Sequence, residues 1–163
     1  MDPRVEAHRP TRAQTILSAF LICVFLLAAG YWFSAGRGPT VSPAEHASDE
    51  SCLQVAEHWP RQVAGQDRRA VRGNPTAAAA WGEPMIIARC GVNSPGPTTD
   101  DCIAADGVDW VGRRLTDGMA FVTYGRTPAI EILVPHEYAP EPLLLGAFAG
   151  AAAKIPQGPH TCR

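Results

Sequence analysis

The sequence predicts an α+β fold. A small antiparallel sheet is covered by two helices, stapled by disulfides, and set behind one N-terminal transmembrane helix. Three observations lead to this expectation. The 18 residues from Ile16 to Phe33 carry no charge. Short apolar stretches divided by turn residues fill the chain from Pro84 to Val134, which is the pattern of antiparallel strands. Apolar residues at helical spacing flank those stretches, with Cys52, Val55, Ala56 and Trp59 before them and Leu144, Phe148, Ala151 and Ile155 after.

The N-terminal segment sets the domain organisation. Residues 16–33 are enough, at helical rise, to cross roughly 30 Å of hydrocarbon. Tyr31 and Trp32 lie at the end of the run, where aromatic side chains favour the interface. Arg4, Arg9 and Arg12 precede it, and after Arg37 no Lys or Arg appears until Arg61. Positive charge concentrates on the cytoplasmic side. The expected organisation is therefore a cytoplasmic N-terminus over 1–14, a signal-anchor helix over 15–35, a flexible linker over 36–47 and an extracytoplasmic domain over 48–163. The rival is a cleaved signal peptide, for which Ser34-Ala35-Gly36 is a tolerable site, although such peptides carry a shorter apolar region. A lipoprotein needs a small residue before its modified cysteine, and Ile22-Cys23 does not supply one; Cys23 reads as an inert thiol in the helix. The linker reading of 36–47 rests on its Pro, Gly and Ser content without periodicity.

The outside domain is read in order. Ser48 to Ser51 opens a helix with acids in its first turn, and Pro60 keeps that helix short. Residues 62–72 are ambiguous, with at best a short strand over 69–72, and Gly73-Asn74-Pro75 is a turn. The stretch 84–90 is apolar on both faces, so it reads as a central strand. Asn93 to Asp101 is a loop. Asp106-Gly107 between apolar runs is a strong hairpin signal. Two more strands cover 119–124 and 129–134, joined by Gly125 to Pro128, with Ile130, Ile132 and Val134 on one face. The last helix is expected over 140–154, where Pro142 is tolerated near the first turn.

Four cysteines follow the membrane segment: Cys52, Cys90, Cys102 and Cys162. An even count in an oxidising compartment implies two disulfides. Cys90 ends one strand and Cys102 begins the next, so a Cys90–Cys102 pair closing that loop is the expected arrangement, with Cys52–Cys162 tying the first helix to the C-terminus. The alternative is Cys52–Cys90 with Cys102–Cys162. The absence of a Cys-x-x-Cys spacing argues against redox or metal chemistry.

A set of phrases runs through the domain: Cys52, Trp59-Pro60, Trp81-Gly82-x-Pro84, Arg89-Cys90-Gly91-Val92, Gly107-Val108-x-Trp110 and Gly125-Arg126-x-Pro128. In these the chain resembles an uncharacterised, domain-of-unknown-function family of membrane-tethered extracytoplasmic proteins of high-GC Gram-positive bacteria. Together the phrases span about half the chain. The resemblance implies a compartment and a fold and no activity. Members commonly begin with a lipoprotein signal or a membrane anchor, and Ile22-Cys23 departs from the lipoprotein form.

The function classes narrow accordingly. A net charge of −2 excludes general nucleic-acid binding, which needs a basic face. Thirteen arginines against one lysine read as genome base composition. No Gly-x-Ser-x-Gly, phosphate-binding loop or dinucleotide fingerprint is present. The five histidines lack metal-ligand spacing, and His58 reads as a surface residue at a helix end. Asp100, Asp101, Asp106 and Asp109 are explained by loop and turn chemistry. No catalytic residue, metal or cofactor is assigned. The candidate binding residues are Arg126, in the tight Gly-Arg-Thr-Pro connection, with Arg89, Glu131 and Tyr124 on neighbouring strands. Arg89 and Glu131 read first as a structural ion pair and second as part of an anion-binding site. The expected function is a membrane-anchored extracytoplasmic binding or accessory protein, a component of a membrane or envelope complex. Its candidate contacts are exposed Trp or Tyr residues and the small-residue face of the last helix. The alternative is a cell-envelope enzyme acting on a polar or charged substrate near Arg126.

Overall fold

The computed structural model describes residues 20–30, 40–72 and 76–162. The chain divides into two compact units, Met1–Arg37 and Gly38–Arg163. In the first, residues 20–30 are α-helical (α1), and Phe20, Leu21, Ile22, Val24, Phe25, Leu26 and Leu27 are exposed. Among the described residues no helix is long and apolar enough to cross a membrane. The rest of the expected span over 15–35, and the expected cytoplasmic segment over 1–14, lie outside the described residues.

In the second unit α2 (Glu50–Glu57) comes first, and eight strands follow: β1 (Gln62–Val63), β2 (Gln66–Arg69), β3 (Ala78–Trp81), β4 (Ile86–Val92), β5 (Asp101–Ala105), β6 (Val108–Arg114), β7 (Gly118–Thr123) and β8 (Ala129–Pro135). Among the described residues they form one sheet in the order β1-β2-β3-β4-β8-β7-β6-β5. Every pair is antiparallel. Two four-stranded meanders thus meet at β4 and β8, and the sheet is larger than the sequence predicts. The expected Asp106-Gly107 turn joins β5 to β6, with φ of 48° and 78° at its two residues, the left-handed pair that a tight hairpin requires. The ambiguous stretch over 62–72 forms β1 and β2, so its strand lies earlier than 69–72.

Strand alternation separates the two faces of the sheet. Trp81, Ile86, Ala88, Cys90, Trp110, Phe121, Ile130, Ile132 and Val134 join one buried cluster with Cys52 and Val55 of α2, Trp59 just beyond it, and Leu145, Phe148, Ala151, Ala152 and Ile155 from the C-terminal region. This is the core face. Phe148 meets Trp81 edge-on at a centroid distance of 5.4 Å and Trp59 at 6.3 Å. The Trp81 indole donates to the carbonyl of Pro60 at 3.0 Å, fixing the chain as it leaves α2. The three described tryptophans, Trp59, Trp81 and Trp110, are all buried, so they are core residues rather than the exposed contacts expected of them.

The C-terminal helix differs from its expected form. Residues Glu141–Phe148 are a 3-10 helix, and only Ala149–Ala152 is α-helical (α3). The stretch carries Pro140 and Pro142 and is apolar nearly all round, so no single amphipathic face holds a regular α-helix in place. Gly146, expected on a face open to a neighbour, lies against the Asp106 carboxylate, where a side chain would collide with it. A second 3-10 turn, His136–Tyr138, precedes it.

Residues 40–47 of the expected linker over 36–47 pack on the domain; residues 36–39 lie outside the described residues. Thr40 forms a parallel bridge with Arg72, Val41 is buried, and the His46 N–H donates to the Gly91 carbonyl at 2.9 Å. Gly91 makes this possible. It sits at a register shift in β4 with φ of 105°, and a Cβ there would overlap the backbone of Ala47.

The disulfides are Cys52–Cys90 and Cys102–Cys162, with Cα–Cα distances of 5.4 Å and 5.6 Å. The expected Cys90–Cys102 and Cys52–Cys162 pairs are therefore corrected. They assumed that consecutive strands pair, but β8, β7 and β6 lie between β4 and β5. At ordinary strand spacing that separates β4 from β5 by about 19 Å across the sheet. Cys90 faces the core, where α2 presents Cys52. Each closed loop, with separations of 38 and 60 residues, removes unfolded-state entropy of about 3–5 kcal/mol in the chain-entropy model.

Two outcomes test this packing. Phe148→Ala empties the space between two indoles and should cost about 3–5 kcal/mol, read as a lower urea midpoint at unchanged slope. The Glu141 carboxyl is held below its usual range by a hydrogen bond at its own backbone and by His136 Nδ1 at 2.7 Å. A depressed carboxyl stabilises the fold above its unfolded pKa. That contribution should disappear as pH falls through and below the ordinary carboxylate range, and Glu141→Gln should flatten the acid limb of the stability curve.

Candidate functional site

The face of the sheet away from the core is built by the opposite phase of the same strands. Ala78, Ala80, Ile87, Arg89, Glu131, Leu133, Ala120, Val122 and Val111 occupy it, as the cross-strand register shows. The connection from β4 to β5, residues 93–100, must pass three strands to reach the far edge. It does so on this open face, because Pro95 and Asp100 line a cavity with Val111, Arg113, Ala120 and Val122. The crossover leaves two surfaces, one polar and one apolar.

The polar surface is a cleft of about 500 Å³ between the crossover and the C-terminal tail. Thr98, Thr99, Asp100 and Asp101 form one wall, and Pro159 to Cys162 form the other. Val111 and Tyr124 line it as well. Tyr124 follows β7 and is half-buried, its ring 6.0 Å from the His160 ring in a tilted contact. The tail is held by several bonds: Gly158 N–H to Gly125 O at 2.7 Å, the Gln157 amide to His160 O at 2.6 Å, and Cys162 N–H to the Asp109 carboxylate at 2.9 Å. Hydroxyls, carboxylates, an imidazole and one aromatic ring make this a hydrogen-bonding surface. Among the described residues no group of three or more His, Cys, Asp or Glu side chains is placed to hold a metal ion.

The apolar surface lies on the same face beyond the crossover. Met85, Ile87, Leu115, Leu133 and Pro135 line a groove of about 140 Å³ with Asp117 at its rim. A second hollow of about 330 Å³ continues it past Pro84, His136 and Glu137. All five apolar residues are half-buried, without a covering layer among the described residues.

The sequence-predicted site residues do not form one constellation. Arg89 and Glu131 are direct cross-strand partners, with Arg89 Nε 2.5 Å from the Glu131 carboxylate. Their first reading, an ion pair, describes this geometry. Tyr124 lines the polar cleft. Arg126, the leading candidate, is buried at 7% exposure and lines none of these cavities. Its Nη1 donates to the Ile155 carbonyl, three residues beyond α3, and its Nε has no partner among the described residues. Burial pushes its pKa below the ordinary arginine value, with Asp109 opposing that shift. Arg126 is thus a buried brace between the β7–β8 connection and the C-terminal region, which corrects its reading as an exposed binding residue. The sequence does not single out Ile87, which sits in a stretch apolar on both faces, Leu133, whose strand marks only its Ile130, Ile132 and Val134 face, or His160, which reads as a tail residue.

A family model described as "Protein of unknown function (DUF3515)" matches residues 15–159. The chain belongs to the DUF3515 family. The match covers the whole sheet and both walls of the polar cleft as far as Pro159. No curated protein and no solved structure matches the chain.

A substitution at the buried brace separates structure from binding. Arg126→Ala should cost about 2–4 kcal/mol, because it leaves the Ile155 carbonyl unpaired and a void behind. Arg126→Met, which refills the void, should recover part of that loss in thermal unfolding.

Proposed function

We propose that this member of the family is a membrane-anchored, extracytoplasmic binding or accessory protein that works within a membrane or cell-envelope complex. The observation that carries the reading is the uncovered apolar groove at Met85, Ile87, Leu115, Leu133 and Pro135. Contiguous apolar surface rimmed by polar residues, here Asp117 and Glu137, marks a contact surface for a partner. The small and open hollows around it suit a protein surface better than an enclosed substrate. The other reading, an envelope enzyme at Arg126, draws no support from that residue, whose guanidinium is engaged inside the fold.

Three features support the compartment. Helix α1 exposes a continuous row of large apolar side chains, which water disfavours and lipid accepts. The positive charge before it and the scarcity of Lys and Arg after it favour an N-terminus inside the cytoplasm. Two disulfides suit an oxidising environment.

The proposal makes a paired test. A phosphatase that is active only outside the cytoplasm, fused after Arg163, should be active and should remain with the membrane after carbonate extraction. Activity of a cytoplasm-only reporter at the same position would overturn the topology. A photoreactive residue at Leu133 should give discrete adducts in native membranes, whereas one at Glu57, on α2 of the opposite layer, should not. Adducts that do not depend on the groove position would overturn the docking surface.

A further inference from the structure

The two disulfides share a chemistry and differ in their surroundings. Cys52 and Cys90 are fully buried between α2 and β4, inside the main apolar cluster. Cys102 is exposed, Cys162 is half-buried, and both line the polar cleft. Exchange requires a thiolate to reach one of the two sulfurs. In the core no such approach exists unless the helical layer lifts from the sheet. The cleft, at about 500 Å³, has room for a small thiol or an extended dithiol segment beside the sulfurs.

We propose that Cys102–Cys162 is a thiol–disulfide exchange site, reducible by a dithiol while Cys52–Cys90 stays closed, and that the carboxylates of the cleft select against anionic thiols. The first thiolate bonds to one cysteine sulfur, the S–S bond breaks, and the other cysteine leaves as a thiolate. The second thiol of the dithiol then displaces the protein from the mixed disulfide. The dithiol is oxidised to its own disulfide. Cys102 and Cys162 gain two electrons and the two protons that the dithiol gives up.

The selectivity follows from the charges around the sulfurs. Asp100 and Asp101 line the cleft, and Asp101 is the chain neighbour of Cys102. Asp109 accepts the Cys162 N–H at 2.9 Å. His160 puts an imidazole on the wall, and no Lys or Arg is among the described lining residues; Arg163, which follows Cys162 in the sequence, lies outside the described residues. Arg113 lines the adjoining hollow with Asp100. An attacking thiolate already carries one negative charge, so this field repels a carrier with further negative charge and attracts a cationic one. Once reduced, the tail keeps its Gly158 and Gln157 hydrogen bonds but loses the covalent tie that holds the second wall of the cleft. The core stays untouched.

The test uses the full chain in detergent. Cys23, the free cysteine, is first blocked with a light maleimide. The protein is then treated with thiol, and newly freed cysteines are trapped with a heavy maleimide and quantified by peptide mass spectrometry. Cys102 and Cys162 should open at least about tenfold faster than Cys52 and Cys90. Cysteamine should outpace 2-mercaptoethanesulfonate by about fivefold at low salt, after each rate is divided by that thiol's rate on bis(2-hydroxyethyl) disulfide. The ratio should collapse at high ionic strength and in the Asp100→Asn/Asp101→Asn variant, whose changed residues are exposed. The exchange site is overturned if Cys52–Cys90 opens first, if both open together, or if neither opens short of denaturation. A charge preference unchanged in the double variant overturns the role of the carboxylates.

Discussion

The pairing of β4 with β8 is the constraint on which the rest of the domain depends. Each strand ends one meander, and only this ladder makes a single sheet of the two halves. Its register does three things at once. Ala88 opposite Ile132 and Cys90 opposite Ile130 present small and branched side chains to the core. Arg89 opposite Glu131 places an ion pair on the open face, where Arg89 is half-buried and the buried Glu131 carboxylate is offset by its charged partner. Cys90 meets Cys52 of α2, so the central strand is also the covalent attachment of the helical layer. A slip of β4 by one residue would turn Arg89 into the core and Cys90 out of it, and would leave Glu131 without its partner.

The open face follows from the same arrangement. Because β5 lies at the far edge, the chain must cross from the centre of the sheet to reach it, and residues 93–100 do so over Ala120, Val122 and Val111. That crossing divides one face into two surfaces of opposite character. On one side hydroxyls and carboxylates gather around a disulfide. On the other, Ile87, Leu133 and Met85 are left with polar residues only at their rim. Asp100 and Val111 border both the polar cleft and the hollow under the crossover.

Much of the sheet is legible in the sequence where a residue type admits few conformations. Asp106-Gly107 announces its turn because both positions need positive φ. The branched residues of β8 mark their own face by alternation. The strand β3 is not legible: four of the residues over 77–80 are alanine, a helix former with little strand preference. Alanine is nonetheless what fits there, since Ala78, Ala79 and Ala80 are at most 5% exposed and lie between neighbours on both faces. Topology is the harder loss. Nothing local in 93–100 distinguishes a hairpin loop from a crossover, and that one choice decides the cysteine partners. Arg126 shows the limit at the site. A lone arginine in a tight connection looks exposed from its chemistry, and only the C-terminal region folding back over it buries the guanidinium. The open-face groove was written in the both-faces-apolar character of β4, a pattern that a fully buried strand produces equally well.

The order of the bridges along the chain has a consequence for how the domain is made. The four cysteines of the domain pair first with second and third with fourth, so the two covalent rings follow one another without interleaving. If the domain enters an oxidising space from its own N-terminal end, behind the anchor, the simplest rule, joining each unpaired thiol to the next one to arrive, gives the native connectivity. Cys52 can close on Cys90 before Cys102 is present to compete. On that route the native pairing needs no reshuffling of bridges, because neither ring encloses a cysteine of the other.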